Sequence, residues 1–146
     1  LVEVKGGGKF SDWLKSTAQE AANKRVDIGF FADATYEDGT LVPLVAAIQE
    51  FGAPSQNIPP RPFFRQMIQK NQSHWPDDIG KALKATDYDA EKALAVVGEM
   101  VAGELREEIT AFDGAPLSPK TIARKGSDKQ LVDTGTMLKS VTSRVE

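Results

Sequence analysis

At 146 residues and 15.8 kDa, with 40% hydrophobic and 27% charged side chains, the chain is sized and balanced for one soluble domain, which excludes wholesale disorder, a collagen-like repeat and a membrane protein. It has no cysteine and a single histidine, His74, which removes disulfides, thiol catalysis, iron–sulfur clusters, cysteine-ligated zinc and any histidine-rich metal site within one chain. The formal charge of −3 gives no global field for nucleic acid, yet it is unevenly placed: residues 1–86 balance, residues 87–114 hold 2 basic and 8 acidic side chains, and residues 115–146 hold 6 basic and 3 acidic.

In chain order, residues 1–9 alternate apolar positions (Leu1, Val2, Val4) before Gly6-Gly7-Gly8, which predicts a short edge strand or a loose, flexible arm. The Gly-Gly-Gly-Lys-Phe-Ser run lacks the spacing of a phosphate loop. Ser11 or Asp12 can cap a first helix reaching about Asn23, with Phe10, Trp13, Leu14, Thr17, Ala18 and Ala21 as its buried stripe. Val26, Ile28 and Phe30 alternate with polar positions as in a half-buried strand over 25–32, and Asp33 to Thr40 reads as a turn or exposed loop. Leu44, Ala47, Ile48 and Phe51 recur at helical spacing over 41–51, with Pro43 near the start and Gly52 at the C-cap position. Three prolines in 53–60 predict an extended connector. Phe63, Phe64, Met67 and Ile68 open a helix after Pro62, which His74-Trp75-Pro76 interrupts and Ile79 to Ala85 resumes, Leu83 facing inward.

The strongest signal follows: Thr86 can cap with Asp89 returning the bond, and Leu94, Val97, Val101, Leu105, Ile109 and Phe112 step by three or four until Gly114. This predicts a helix of about 26 residues, close to 39 Å long. Ser118-Pro119 starts a short helix ending at Gly126, Thr134 can cap another over Gly135 to Val141, and Arg144-Val145-Glu146 reads as the opening of a strand. The sum is a single α+β domain, with several helices including one long central helix packed on a small, mainly antiparallel sheet.

Candidate chemistry is sparse. Glu104, Glu107 and Glu108 share one helix face and could bind a hard cation, but they oppose the apolar stripe, so a solvated face is expected. Ser73, His74, Asp77 and Asp78 are neighbours in sequence, and a catalytic triad is instead assembled from separate segments, which leaves His74 as a helix-end residue. Trp13 and Trp75 lack the clustered cations of a base-stacking platform. No catalytic residue, metal site or cofactor is expected.

Two segments are more than a core requires. One is Ala46-Ala47-Ile48-Gln49-Glu50-Phe51-Gly52, followed by the proline-rich arm and Ile58-Pro59-Pro60-Arg61-Pro62-Phe63-Phe64-Arg65, where Phe63 or Phe64 can anchor in a pocket and Arg61 can pair with Glu50. The other is Pro116-Leu117-Ser118-Pro119-Lys120-Thr121-Ile122, continued by Leu131-Val132-Asp133-Thr134-Gly135-Thr136-Met137-Leu138-Lys139-Ser140-Val141. The first resembles the middle motif of small head–tail joining and tail-completion proteins of long-tailed bacteriophages and prophages. The second is similar to the closing motif of phage virion-morphogenesis proteins of the tail-completion group. Together they span about residues 43–145 and leave out the N-terminal third.

The resemblance implies a non-catalytic structural component of the virion neck or tail end, assembled in the host bacterial cytoplasm, with head-connector and tail-tube proteins as partners. It also implies strands beyond the Leu-x-Asp-Thr-Gly motif, so that the sheet is incomplete at Glu146 or its distal residues are disordered. A homo-oligomeric ring is expected from heterologous contacts and from the acidic and basic segments, which could also be plain solvated faces. The expected assembly residues are Glu50, Phe51, Gly52, Arg61, Pro62, Phe63 and Phe64, with Asp133, Thr134 and Gly135. The rival readings are a nucleic-acid-binding adaptor using Lys120, Arg124, Lys125 and Lys129, and a small hydrolase.

Overall fold

A long helix organises the molecule. In a computed structural model, which describes residues 7–112, 123 and 135–146, that helix (α5, Ala90–Ala111) opens at Asp89, whose carboxylate accepts the Lys92 backbone N–H at 3.0 Å. It closes at Phe112. Before it come α1 (Gly7–Ala22), β1 (Val26–Gly29), α2 (Val42–Phe51), a 3-10 turn (Pro54–Gln56), α3 (Phe63–Asn71) and α4 (Trp75–Ala85); after it come α6 (Thr136–Lys139) and β2 (Thr142–Val145). The architecture is α+β: helices on a two-stranded antiparallel sheet, in which Val26 lies opposite Val145 and Gly29 opposite Thr142.

The stripe Val97, Val101, Leu105, Ile109 and Phe112 is buried and joins Val42, Phe63, Met67, Met137 and Val141 in one core. α3, α4 and both strands pack on α5. The strands come close because residue 98 is glycine: a Cβ there would stand 2.7 Å from Val26 Cγ2 and 2.9 Å from Ser143 Cβ.

Several sequence expectations change. α5 has 22 residues, because Thr86 ends α4 instead of starting α5. The Thr86 hydroxyl donates back to the Ala82 carbonyl at 2.9 Å, and Asp89 takes the capping role alone. α4 already begins at Trp75, with Pro76 in its first turn, where the missing N–H costs nothing. α1 starts at Gly7, not at a Ser11 or Asp12 cap, so Gly7 to Lys9 are helical and not an arm. Among the described residues it buries none: the stripe predicted for its core face packs toward α5, and the Trp13 ring sits edge-on to Tyr88, just before that helix, at 5.3 Å.

α2 has the expected span but a different inward face, formed by Val42, Ala46 and Glu50, while Leu44, Ala47 and Phe51 are exposed. Its phase is set at the entrance, where the Val42 N–H donates to the Ala34 carbonyl at 2.9 Å and Thr35 bridges Leu41. The connector is not wholly extended, since Pro54–Gln56 makes a 3-10 turn and Ala53 pairs with Ile58 across it. α6 has Gly135 at its N-cap position with φ 75°, while Thr134, the expected cap, lies outside the described residues. So do Asp133 and nearly all of the Ser118–Gly126 helix.

Candidate functional site

The Glu50 to Arg65 segment folds into a clasp between the end of α2 and the start of α3. Gly52 makes the turn: at φ 75° and ψ 174° it occupies a region open essentially to glycine, and a Cβ would stand 2.8 Å from both the Ile58 carbonyl oxygen and the Pro60 nitrogen. The returning arm is tied down where the Arg61 N–H donates to the Gln49 carbonyl at 2.7 Å. α3 then begins with no side-chain cap of its own. Glu50 supplies one from another helix. Its carboxylate accepts the Phe64 N–H at 2.9 Å and the Arg65 N–H at 3.4 Å, and pairs with Arg65 Nε at 2.6 Å. Two otherwise orphaned donors and the positive end of the α3 dipole converge on one buried acid.

Arg61 does not pair with Glu50. Its side chain is buried and donates to Gln49 Oε1 at 3.0 Å, while its Nε has no partner and burial pushes its guanidinium below the ordinary value. Arg65 lies in the first turn of α3, where its Nε reaches Glu50, whereas Arg61 is still in the arm and turns to Gln49. Phe63 is fully buried and meets Phe30 edge-on at 6.2 Å. Of the residues expected to meet a partner, Glu50, Arg61 and Phe63 are buried within the chain, Gly52, Pro62 and Phe64 are half-buried, and Phe51 is 67% exposed.

Beside the clasp lies an open groove of about 360 Å³, lined by Ile28, Phe30, Ala47, Phe51 and Phe64 together with Arg65. Arg65 stands over the Phe51 ring at 5.4 Å and holds it in place. Leu41, just before α2, and Leu44 within it are also exposed. A second concavity, more polar, lies between α1 and the start of α5, with Trp13, Glu20, Lys24 and Glu91 on its walls.

The acidic face of α5 differs from the expectation of a solvated stripe. Glu107 is exposed, but Glu108 is buried and takes the Lys70 ammonium at 2.6 Å. Glu104 accepts Trp75 Nε1 at 2.9 Å and lies 3.2 Å from His74 Nε2. Asp78 stands 2.6 Å from His74 Nδ1, and its carboxyl is held below the usual range by that hydrogen bond. α3 and α4 lie over this flank of α5, so two of the three carboxylates become internal ties. The acids around His74 thus converge more than the sequence suggested. With a carboxylate on each ring nitrogen, however, neither nitrogen is left to take a proton from a hydroxyl nucleophile. Among the described residues no cluster of three or more His, Asp or Glu side chains is placed to hold a metal, and no helix is long and apolar enough to cross a membrane. The basic residues of the adaptor reading, Lys120, Arg124, Lys125 and Lys129, lie outside the described residues.

No family model, no curated protein and no solved structure matches this chain. The partners of Glu50, Glu104 and Glu108 are not readable in the sequence, since each lies 14 to 38 positions away. The one usable signal was the acid at the end of α2 facing a capless helix start after Pro62.

Proposed function

We propose that the chain is a structural protein of phage or prophage tail completion, or head–tail joining, that works by subunit contacts and not by catalysis. In this reading copies of the chain form a ring at the neck, between head-connector and tail-tube proteins, in the virion and in the bacterial cytoplasm during assembly. Two things support it: the pair of motifs described above, and a rigid clasp that presents apolar side chains outward.

The observation that carries the proposal is the groove lined by the exposed Phe51 ring. A lone domain gains nothing by fixing a large aromatic ring in water, whereas an assembling subunit uses such a ring as an anchor. Glu50, Gly52 and Arg61 then act through the clasp, as positioning residues for that surface.

Sedimentation of the purified protein with phage tails that lack it tests the reading. The wild-type chain is expected to travel with the tails, and Phe51→Asp to lose about tenfold in incorporation, the loss of one good anchor. A wild-type chain left at the top of the gradient overturns the proposal.

A further inference from the structure

The His74 ring faces acceptors on both of its nitrogens. Nδ1 stands 2.6 Å from Asp78 Oδ2, while Nε2 stands 3.2 Å from Glu104 Oε1 and 3.4 Å from Asn71 Oδ1. The Asn71 amide is fixed with its oxygen toward the ring, because its Nδ2 donates to the Met67 carbonyl at 2.9 Å. The hydrogen bond to His74 holds the Asp78 carboxyl below its usual range, so that group can only accept. Glu104 Oε2 takes the Trp75 indole N–H at 2.9 Å, which leaves Oε1 for the ring. A neutral imidazole has one N–H and one lone pair, so either tautomer sets a lone pair against a carboxylate. Only the imidazolium donates to both.

The three acceptors belong to three helices. Asn71 ends α3, Asp78 lies in the first turn of α4, and Glu104 is on α5. His74 occupies the N-cap position of α4, at the corner where the chain leaves α3. The other charges of these helices near the corner are paired or exposed. Lys81 of α4 meets the second Asp78 oxygen at 3.6 Å and opposes the charge of the ring, but from a side chain 78% exposed, where water screens it. One turn along α5 from Glu104, Glu108 holds Lys70 of α3, and Asp77 and Glu107 are exposed.

We propose that His74 is a proton-operated latch between the α3–α4 corner and α5. Protonated, the ring donates to Asp78 and Glu104 and, together with the Trp75 indole, ties the start of α4 to a single carboxylate of α5. When one proton leaves, the other stays on Nδ1, at the shorter of the two contacts. The Nε2 lone pair then faces Glu104 Oε1 and Asn71 Oδ1, so Glu104 turns away and the indole bond loosens. The change stays at the corner: the His74 side chain is 44% exposed, so water screens its pairs and takes the place of the lost contact. The latch belongs to the subunit alone and does not depend on what the chain assembles with.

One histidine and two tryptophans make the latch directly readable. In 15N-labelled Trp13→Phe protein, NMR follows the His74 ring nitrogens and the remaining indole N–H from about pH 5 to 9. Both ring nitrogens are expected to carry protons at the acid end and Nδ1 alone at the alkaline end, the Trp75 indole signal moving with the same midpoint. His74→Gln should abolish that indole step. Glu104→Gln keeps an acceptor for Trp75 and should lower the His74 midpoint by about half a pH unit, the worth of a part-exposed pair. An indole signal that stays still while His74 titrates overturns the latch. So does a midpoint unmoved by Glu104→Gln, or a neutral ring that keeps its proton on Nε2 and remains tied to α5. Should Glu104→Gln not fold, the tautomer and the indole step decide without any change at the latch itself.

Discussion

Glu50 ends one helix and begins another. Its burial would be costly for a lone carboxylate, and what offsets the cost is the pair of backbone donors at the start of α3, the Phe64 and Arg65 N–H groups, with the Arg65 side chain. The Arg65 side chain is 57% exposed, so water screens that half of the arrangement, and the amides account for the larger share. Glu50→Ala should therefore lower unfolding free energy by about 2 kcal/mol in a urea titration, and Glu50→Gln, which keeps an acceptor for the Phe64 N–H, by about half as much. Equal losses for the two would mean that the ion pair, and not the capping, is what matters. Gly52→Ala is the harsher change, since it forces a side chain into a glycine-only backbone region and against the returning arm; a loss of about 3 kcal/mol or more is expected, accompanied by loosening of the Phe51 surface. At the residue scale the clasp therefore couples buried groups to the exposed Phe51 ring: substitutions within it alter how that ring is held.

α5 allows a clean comparison between propensity and packing, because it holds two glycines at interior positions. Gly103 has nothing within 4 Å of a would-be Cβ, so Gly103→Ala should raise stability by up to about 1 kcal/mol through helix propensity. Gly98→Ala adds the same propensity gain but drives a methyl into Val26 and Ser143, so thermal melting should fall despite it. A rise at both positions would show that the sheet does not rest on α5 as described. At this scale the sequence was readable wherever a helix is covered. The stripe from Val97 to Phe112 is the core face because α3, α4 and the sheet all close on it. α1 has an equally regular stripe and yet is open, since periodicity reports which face is apolar and not whether anything lies against it. α2 was misread in phase for a related reason: an acid, Glu50, holds an inward position that apolar periodicity assigns to Ala47 or Phe51. The candidate surface follows the same division, with the motif itself legible and its split into inner braces (Glu50, Arg61, Phe63) and an outer anchor (Phe51) set by contacts distant in sequence.

Across the whole molecule, ion pairs join segments distant in sequence. Arg144 in β2 reaches Asp33 at 2.7 Å and lies over the Phe31 ring, Lys24 reaches Glu91 at 2.8 Å, and His74 sits between Asp78 and Glu104. The hydrogen bond from Arg144 holds the Asp33 carboxyl below its ordinary range, the hydrogen bond from His74 does the same for Asp78, and the Lys92 backbone N–H does so for Asp89. Carboxyls with depressed values bind fewer protons when folded than when unfolded. Their contribution is whole above the unfolded value of about 3.9 and disappears as pH falls through the lower folded values. The lysines act in the opposite sense. Lys24, through its hydrogen bond to Glu91, and Lys92, through its bond to Asp89, are raised, so their contribution is whole below about 10.4 and disappears as pH climbs through the folded values. Melting temperature should accordingly hold a plateau from about pH 5 to 9 and fall on both sides. These groups are open to solvent, so about 1 M salt should shallow both limbs, whereas a limb set by deeply buried charge would keep its slope. Asp33→Asn is the sharper probe. It should flatten part of the acid limb and leave the alkaline one unchanged, because its partner Arg144 keeps its charge throughout; an acid limb of unaltered slope would mean that the link between the β1–α2 loop and β2 adds nothing to the fold.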